Sequence, residues 1–183
     1  MAATEKGVWG LQDVRDKQLQ SEWTYDGGRP LYSCGPNVYG AIGLNNPSPS
    51  FKISSPTQVG TELTWSKVSG GNNRSYAIKT DGTLWAWGSN YGTLGLNQPG
   101  VDNQAGRGKS SPAQVGTDQT WAHVECFGNG STVAVKTDGT LWGWGRNEDG
   151  HMGFNNKTKY SSPVQVGTDT TWSSNELHWG TGP

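Results

Sequence analysis

Charge is scarce in this chain of 183 residues: Asp, Glu, Lys and Arg make up 16% of it and the net charge is -1. A near-neutral chain lacks the basic footprint of a nucleic-acid binder. It also lacks the cationic surface that anionic lipid attracts. No apolar run reaches the roughly 18 residues that a membrane-spanning helix needs, so no membrane insertion is expected. The first residues, Met1-Ala2-Ala3-Thr4-Glu5-Lys6, offer no apolar stretch, so no secretory signal is expected. Without one, the glycosylation-like triplets that begin at Asn73, Asn129 and Asn156 read as turn chemistry.

Cysteine and histidine are equally sparse. Two cysteines make no disulfide framework, and nothing in the sequence brings Cys34 and Cys126 together. His123, His151 and His178 are far apart and fit no metal-ligand spacing. No nucleophile elbow or paired-carboxylate pattern is present. Gly106-Arg107-Gly108-Lys109-Ser110 brushes against a phosphate-binding loop, but Asn103 stands where its leading glycine belongs and no helix follows. Asn147-Glu148-Asp149-Gly150 lacks the downstream ligands of a calcium loop. These absences point to a non-enzymatic protein without cofactor or metal.

What the chain has is glycine (28), tryptophan (10) and repetition. Three phrases recur in order. The first is Leu31-Tyr32-Ser33-Cys34-Gly35, Leu84-Trp85-Ala86-Trp87-Gly88 and Leu141-Trp142-Gly143-Trp144-Gly145. The second is a Ser-Ser-Pro triplet ending at Pro56, Pro112 and Pro163. The third is a Thr-Trp pair at Trp65, Trp121 and Trp172. The leucines that lead the first phrase lie 53 and 57 residues apart, a period of stacked or radially arranged units.

Within one unit, Thr64-Trp65-Ser66-Lys67-Val68 alternates as a half-buried strand. Gly70-Gly71-Asn72-Asn73 is a turn, and Tyr76-Ala77-Ile78-Lys79 a second strand. Asp81-Gly82 marks a hairpin whose tight turn needs positive φ. In the third strand Trp85 and Trp87 share one face, Leu84 and Ala86 the other. Ser111-Pro112-Ala113-Gln114-Val115 suits a short edge strand, where proline is tolerated. Cys34 stands where Trp87 and Trp144 stand in the other units, and is expected to fill a shrunken core slot. The only helical candidate is residues 11–19.

The phrases from Lys79-Thr80-Asp81-Gly82-Thr83-Leu84-Trp85-Ala86-Trp87-Gly88 to Ser111-Pro112-Ala113-Gln114-Val115-Gly116, and their copy around Trp142-Gly143-Trp144-Gly145, resemble the regulator of chromosome condensation repeat. The resemblance spans about residues 31–172. It implies an all-β fold of four-stranded antiparallel propeller blades, commonly seven in one chain. Residues 7–19 resemble the leader of structural proteins of tailed phages. The organisation expected is therefore a leader or docking segment at 1–20 and a three-repeat propeller-like domain at 21–183.

The repeats are circularly shifted: the strand after Thr171 lacks a hairpin, and residues 22–32 align with one. Three blades fall below the usual four to eight, so closure is expected either within the chain or by homo-oligomerisation. Trp9, Trp23, Tyr25, Trp172, Leu177 and Trp179 are the candidate subunit interface, aromatics being enriched there. The repeating tryptophans read as packing residues instead. The loops at 45–53, 97–109 and 155–160 vary most between repeats. The longest supplies the candidate recognition residues Asn97, Gln98, Asp102, Asn103, Arg107 and Lys109.

The function expected from these readings is a virion component, tail or fibre associated, partnered with itself and other virion proteins, with a host-surface receptor or glycan as a further partner. A capsid decoration protein, a carbohydrate-binding module and a chromatin or GTPase-regulator-like interaction protein are the alternatives.

Overall fold

The computed structural model describes residues 28–48, 50–98, 108–128 and 130–173. Among these residues ten strands form three antiparallel sheets. Strands β1 (Tyr32–Pro36) and β2 (Lys52–Gln58) pair alone. Strands β3 (Trp65–Gly71), β4 (Arg74–Lys79), β5 (Leu84–Gly88) and β6 (Lys109–Gln114) form one four-stranded blade in sequence order. Strands β7 (Trp121–Cys126), β8 (Ser131–Lys136), β9 (Leu141–Gly145) and β10 (Tyr160–Gln165) form the next. The two-stranded sheet corresponds to the outer half of such a blade, since its Leu31 accepts from Val59 as Leu84 does from Val115 and Leu141 from Val166.

Local chemistry sets each connection. Asn72 and Asn73 both take positive φ, as a two-residue hairpin between right-twisted strands demands. At the Asp-Gly turns only the glycine does so. Asp81 Oδ1 instead accepts from the Thr83 N–H and hydroxyl, and Asp138 does the same with Thr140. Each Ser-Ser-Pro triplet bulges out of register on the outermost strand, the position expected for it from the sequence. A bulge and a proline there leave fewer donors for strange strands to pair with.

The two faces of β5 divide as expected. Trp85 and Trp87 pack on Trp65 and Ala77, while Leu84 and Ala86 join Tyr76 and Ile78 against Trp121, Val124 and Trp144 of the following blade. The main core is therefore the junction between blades. Backbone bonds cross it as well. The Trp121 N–H donates to Gly82 O and the Trp172 N–H to Gly139 O; one repeat earlier the Trp65 N–H donates to Arg29 O. Each Thr-Trp strand is hung from the turn of the blade before it.

Cys34 does not fill a core slot: it is exposed, and both cysteines are free thiols. Trp87 and Trp144 are buried because the preceding repeat covers them, through Ala41 O and Tyr76 respectively. No described residue gives the Cys34 side of β1 such a cover. The helical candidate at 11–19 lies outside the described residues.

Candidate functional site

A repeated aromatic clamp makes the scaffold stiff. Trp121 meets Trp142 and Trp144 edge-on at 6.0 Å each, and Trp65 meets Trp85 and Trp87 at 6.2 Å. Lys136 Nζ lies 3.8 Å from the Trp142 ring centroid, and Lys79 the same distance from Trp85. Such aromatic and cation–π contacts each contribute about 0.5–2 kcal/mol when desolvated. Each lysine also meets a carboxylate at 2.5 Å, Asp118 for Lys136 and Glu62 for Lys79. The Trp142 Nε1–H donates to the Thr140 hydroxyl, which donates on to Asp138, and Trp85, Thr83 and Asp81 repeat the chain. The phrase Lys-Thr-Asp-Gly-Thr-Leu-Trp is the sequence form of this clamp.

Burial disfavours the Asp118 carboxylate, but the Lys136 ammonium and the Thr120 hydroxyl and N–H outweigh it and hold its pKa at about 2. A carboxyl depressed in the folded state stabilises above its unfolded value, near 3.9, and loses that contribution as pH falls towards 2. Asp118→Asn is therefore expected to flatten the loss of stability between pH 4 and 2 in urea titrations. At pH 7 its cost is expected below about 1 kcal/mol, because the carboxylate is a third exposed and screened. An acid limb as steep as wild type would contradict the assignment.

A second repeated device ties down the loops after β1, β5 and β9. Buried Asn37, Asn90 and Asn147 follow the Trp-strand glycine by two residues. Asn147 donates to Asn156 O and Thr158 O and accepts from the Met152 N–H; Asn37 repeats this with Asn46 O, Ser48 O and the Ile42 N–H. The same loops then reach the next blade. Ala41 O accepts from Ser75 and Trp87. One repeat later the hydroxyl of fully buried Tyr76 is inserted: it donates to Thr93 O and accepts from Thr132 and Trp144. Burial pushes the Tyr76 phenol far up, keeping it a donor. From the sequence Tyr76 has no role beyond its strand and the asparagines none in tying loops, although Gly-x-Asn closes all three copies of the first phrase.

On this scaffold the β3–β4 hairpin and the tied loops enclose a polar cavity of about 320 Å³. Three successive repeats line it. Tyr39 comes from the first; Asn72, Arg74 and Tyr91 from the second; Gly130, Arg146, Glu148 and Lys159 from the third. Tyr39 and Tyr91 meet edge-on at 5.8 Å. The neighbouring Tyr39 hydroxyl holds the Tyr91 phenol above its ordinary range. Arg146 pairs with Glu148 at 2.7 Å on the exposed side. Among the described residues no three His, Cys, Asp or Glu side chains gather as metal ligands would.

The residues singled out from the sequence are placed differently. The Asn97 N–H is bonded to Ser161 O of β10, as Asn45 is to Ser110, so this loop end staples two blades. Gln98 Oε1 accepts from Asn90. Lys109 is not in a loop: it opens β6 opposite Gly88, because the Asn45 bond to Ser110 starts that strand before its Ser-Ser-Pro triplet. Trp172 is 38% exposed and hangs from Gly139. Asp102, Asn103, Arg107, Trp9, Trp23, Tyr25, Leu177 and Trp179 lie outside the described residues.

Residues 65–92 and 121–150 match one family model of the regulator of chromosome condensation (RCC1) repeat, and residues 138–174 a second. The chain carries RCC1 repeats. The RCC1 phrases coincide with the clamp and the tied loops described above. The chain is 28% identical over 141 residues to the probable E3 ubiquitin-protein ligase HERC6 of Homo sapiens, covering 74% of this chain and 13% of that protein. It is 30% identical over 141 residues to the ultraviolet-B receptor UVR8 of Arabidopsis thaliana, covering 74% and 30%. Among solved structures, RCC1-type Prp20p of Saccharomyces cerevisiae superposes with a TM-score of 0.66 at 19% identity, over 78% of this chain and 35% of that one. The chain thus spans about a third or less of these proteins.

Proposed function

We propose that this chain is a protein-interaction module, an RCC1-type blade assembly that offers the face bearing the polar cavity to a partner protein. The observation that carries the reading is the cavity's construction. Three successive repeats contribute its walls, so it exists only when blades are docked, and buried asparagines fix the loops around it. Recognition sites are commonly loops on a rigid scaffold. The solved relative supports the reading too: Prp20p is described with its binding to Gsp1p and histones, and also bound to Kap60. Of the readings drawn from the sequence, the comparisons favour the regulator-like interaction protein over the virion component. Placement in a virion, and completion of blades by a second copy, rest on the leader and on edge residues of which Trp172 alone is described.

The test is affinity capture with the folded chain, followed by reconstitution with the purified partner. Saturable binding of one partner per chain, lost when Trp144→Ala breaks the blade junction, is expected. A folded chain that forms no stoichiometric complex with any captured protein would overturn the proposal.

A further inference from the structure

Arg74 is the anomaly of the described structure. It is 5% exposed, yet among the described residues no carboxylate lies within ion-pair distance of it. One guanidinium nitrogen, Nη2, donates to Phe127 O at 2.8 Å, and Nε has no partner. Buried charges are ordinarily paired, because desolvating an ion alone is costly. The nearby Cys126 thiol supplies no counter-charge, since burial pushes its pKa up and keeps it neutral. Arg74 lies in the wall of the 320 Å³ cavity, together with Arg146 and Lys159. The cavity wall thus carries three cations and one carboxylate, Glu148, in a chain whose net charge is -1.

Gly130 makes this convergence possible. Its φ is +108°, and a Cβ there would fall 3.0 Å from Arg74 Nη1 and closer still to the Arg146 methylenes. The missing side chain lets the Arg74 guanidinium and the Arg146 methylenes pack against the same residue. Tyr39 and Tyr91 add an edge-on aromatic pair to the same lining, against which a peptide can pack.

We infer that this cavity binds an acidic peptide segment of the partner protein, one Asp or Glu side chain entering to meet Arg74 while Lys159 holds a flanking acidic group. Planar, two-oxygen carboxylates match a guanidinium fork. A peptide suits the site better than a nucleic acid. The chain, at a net charge of -1, lacks the surplus of cations that a continuous phosphate backbone requires. The inference rests on the interaction-module reading and assigns its site.

The test uses the full chain and a fluorescein-labelled peptide of alternating glutamate and glycine, followed by anisotropy. Saturable binding is expected, absent for the lysine counterpart. Arg74→Gln should weaken it at least about tenfold, the loss of a charged hydrogen bond. Because Arg74 is buried and its variant can lose structure, Lys159→Glu, on an exposed side chain, serves as the second variant. It should weaken binding by a similar factor with an unchanged circular dichroism spectrum. Failure of the peptide to bind, or binding that ignores both substitutions, overturns the inference. So does displacement by inorganic phosphate or oligothymidine at lower concentration than by unlabelled peptide. If a captured partner binds wild type and Lys159→Glu equally, the site assignment fails while the interaction module stands.

Discussion

Trp144→Ala is expected to lower the free energy of unfolding by about 3–5 kcal/mol, a large part of a typical domain's stability. Trp144 is fully buried and belongs to the second blade, yet it shares one core cluster with Tyr76, Ile78 and Leu84 of the first. It packs edge-on against Trp121 at 6.0 Å and against Tyr76 at 5.9 Å. Its Nε1–H donates to the Tyr76 hydroxyl. Alanine leaves a cavity at the junction and removes one donor from that hydroxyl, whose other partners are Thr93 O and Thr132. Urea titration of both proteins measures the difference. A loss below about 1 kcal/mol would mean that the junction is not the core described above.

The second large effect is expected at Gly82, and Gly116 provides its control. Both have positive φ, +80° and +63°. Either alanine therefore meets the left-handed penalty of about 1–2 kcal/mol. Nothing lies within 4 Å of a Cβ at Gly116, whereas a Cβ at Gly82 runs into the backbone carbonyl of Gln119. A backbone atom cannot swing aside as a side-chain tip does. Relief would push away the strand whose Trp121 N–H bonds to Gly82 O. Gly82→Ala should thus cost at least about 2 kcal/mol more than Gly116→Ala. Equal costs in matched denaturation curves would show that the turn and the next strand are not in contact.

The contrast between these glycines shows how far the sequence reaches. Strand order, the sharing of β5 between two faces and the edge position of the Ser-Ser-Pro strands follow from alternation and proline chemistry, which are local. The resemblance supplied the blade. What the sequence did not reveal depends on the neighbouring blade. Cys34 occupies a tryptophan's place in the repeat, but no described residue covers it as the preceding repeat covers Trp87 and Trp144, so position in the motif misplaced it. Lys109 looked like the end of a loop because the staple that starts its strand, Asn45 to Ser110, spans two repeats. Arg74 belongs to a triplet that reads as turn chemistry, and only the fold shows it buried beside Gly130 and Arg146 with no counter-charge among the described residues. Loop length directed attention to residues 97–109, while the cavity is lined by the β3–β4 hairpin and by residues that open the same connections, such as Tyr91 and Arg146.

The central claim is that consecutive repeats are welded into one unit through their junctions, which is what gives the cavity fixed walls. Native-state hydrogen exchange tests it most directly, by comparing amides of β4 with those of β8 in wild type and in Trp144→Ala. The welded unit predicts one shared opening free energy for both strands in wild type, and an equal fall in both when the tryptophan of the second blade is removed. If β4 keeps its wild-type protection while β8 alone is lost, the blades open independently and the account is wrong.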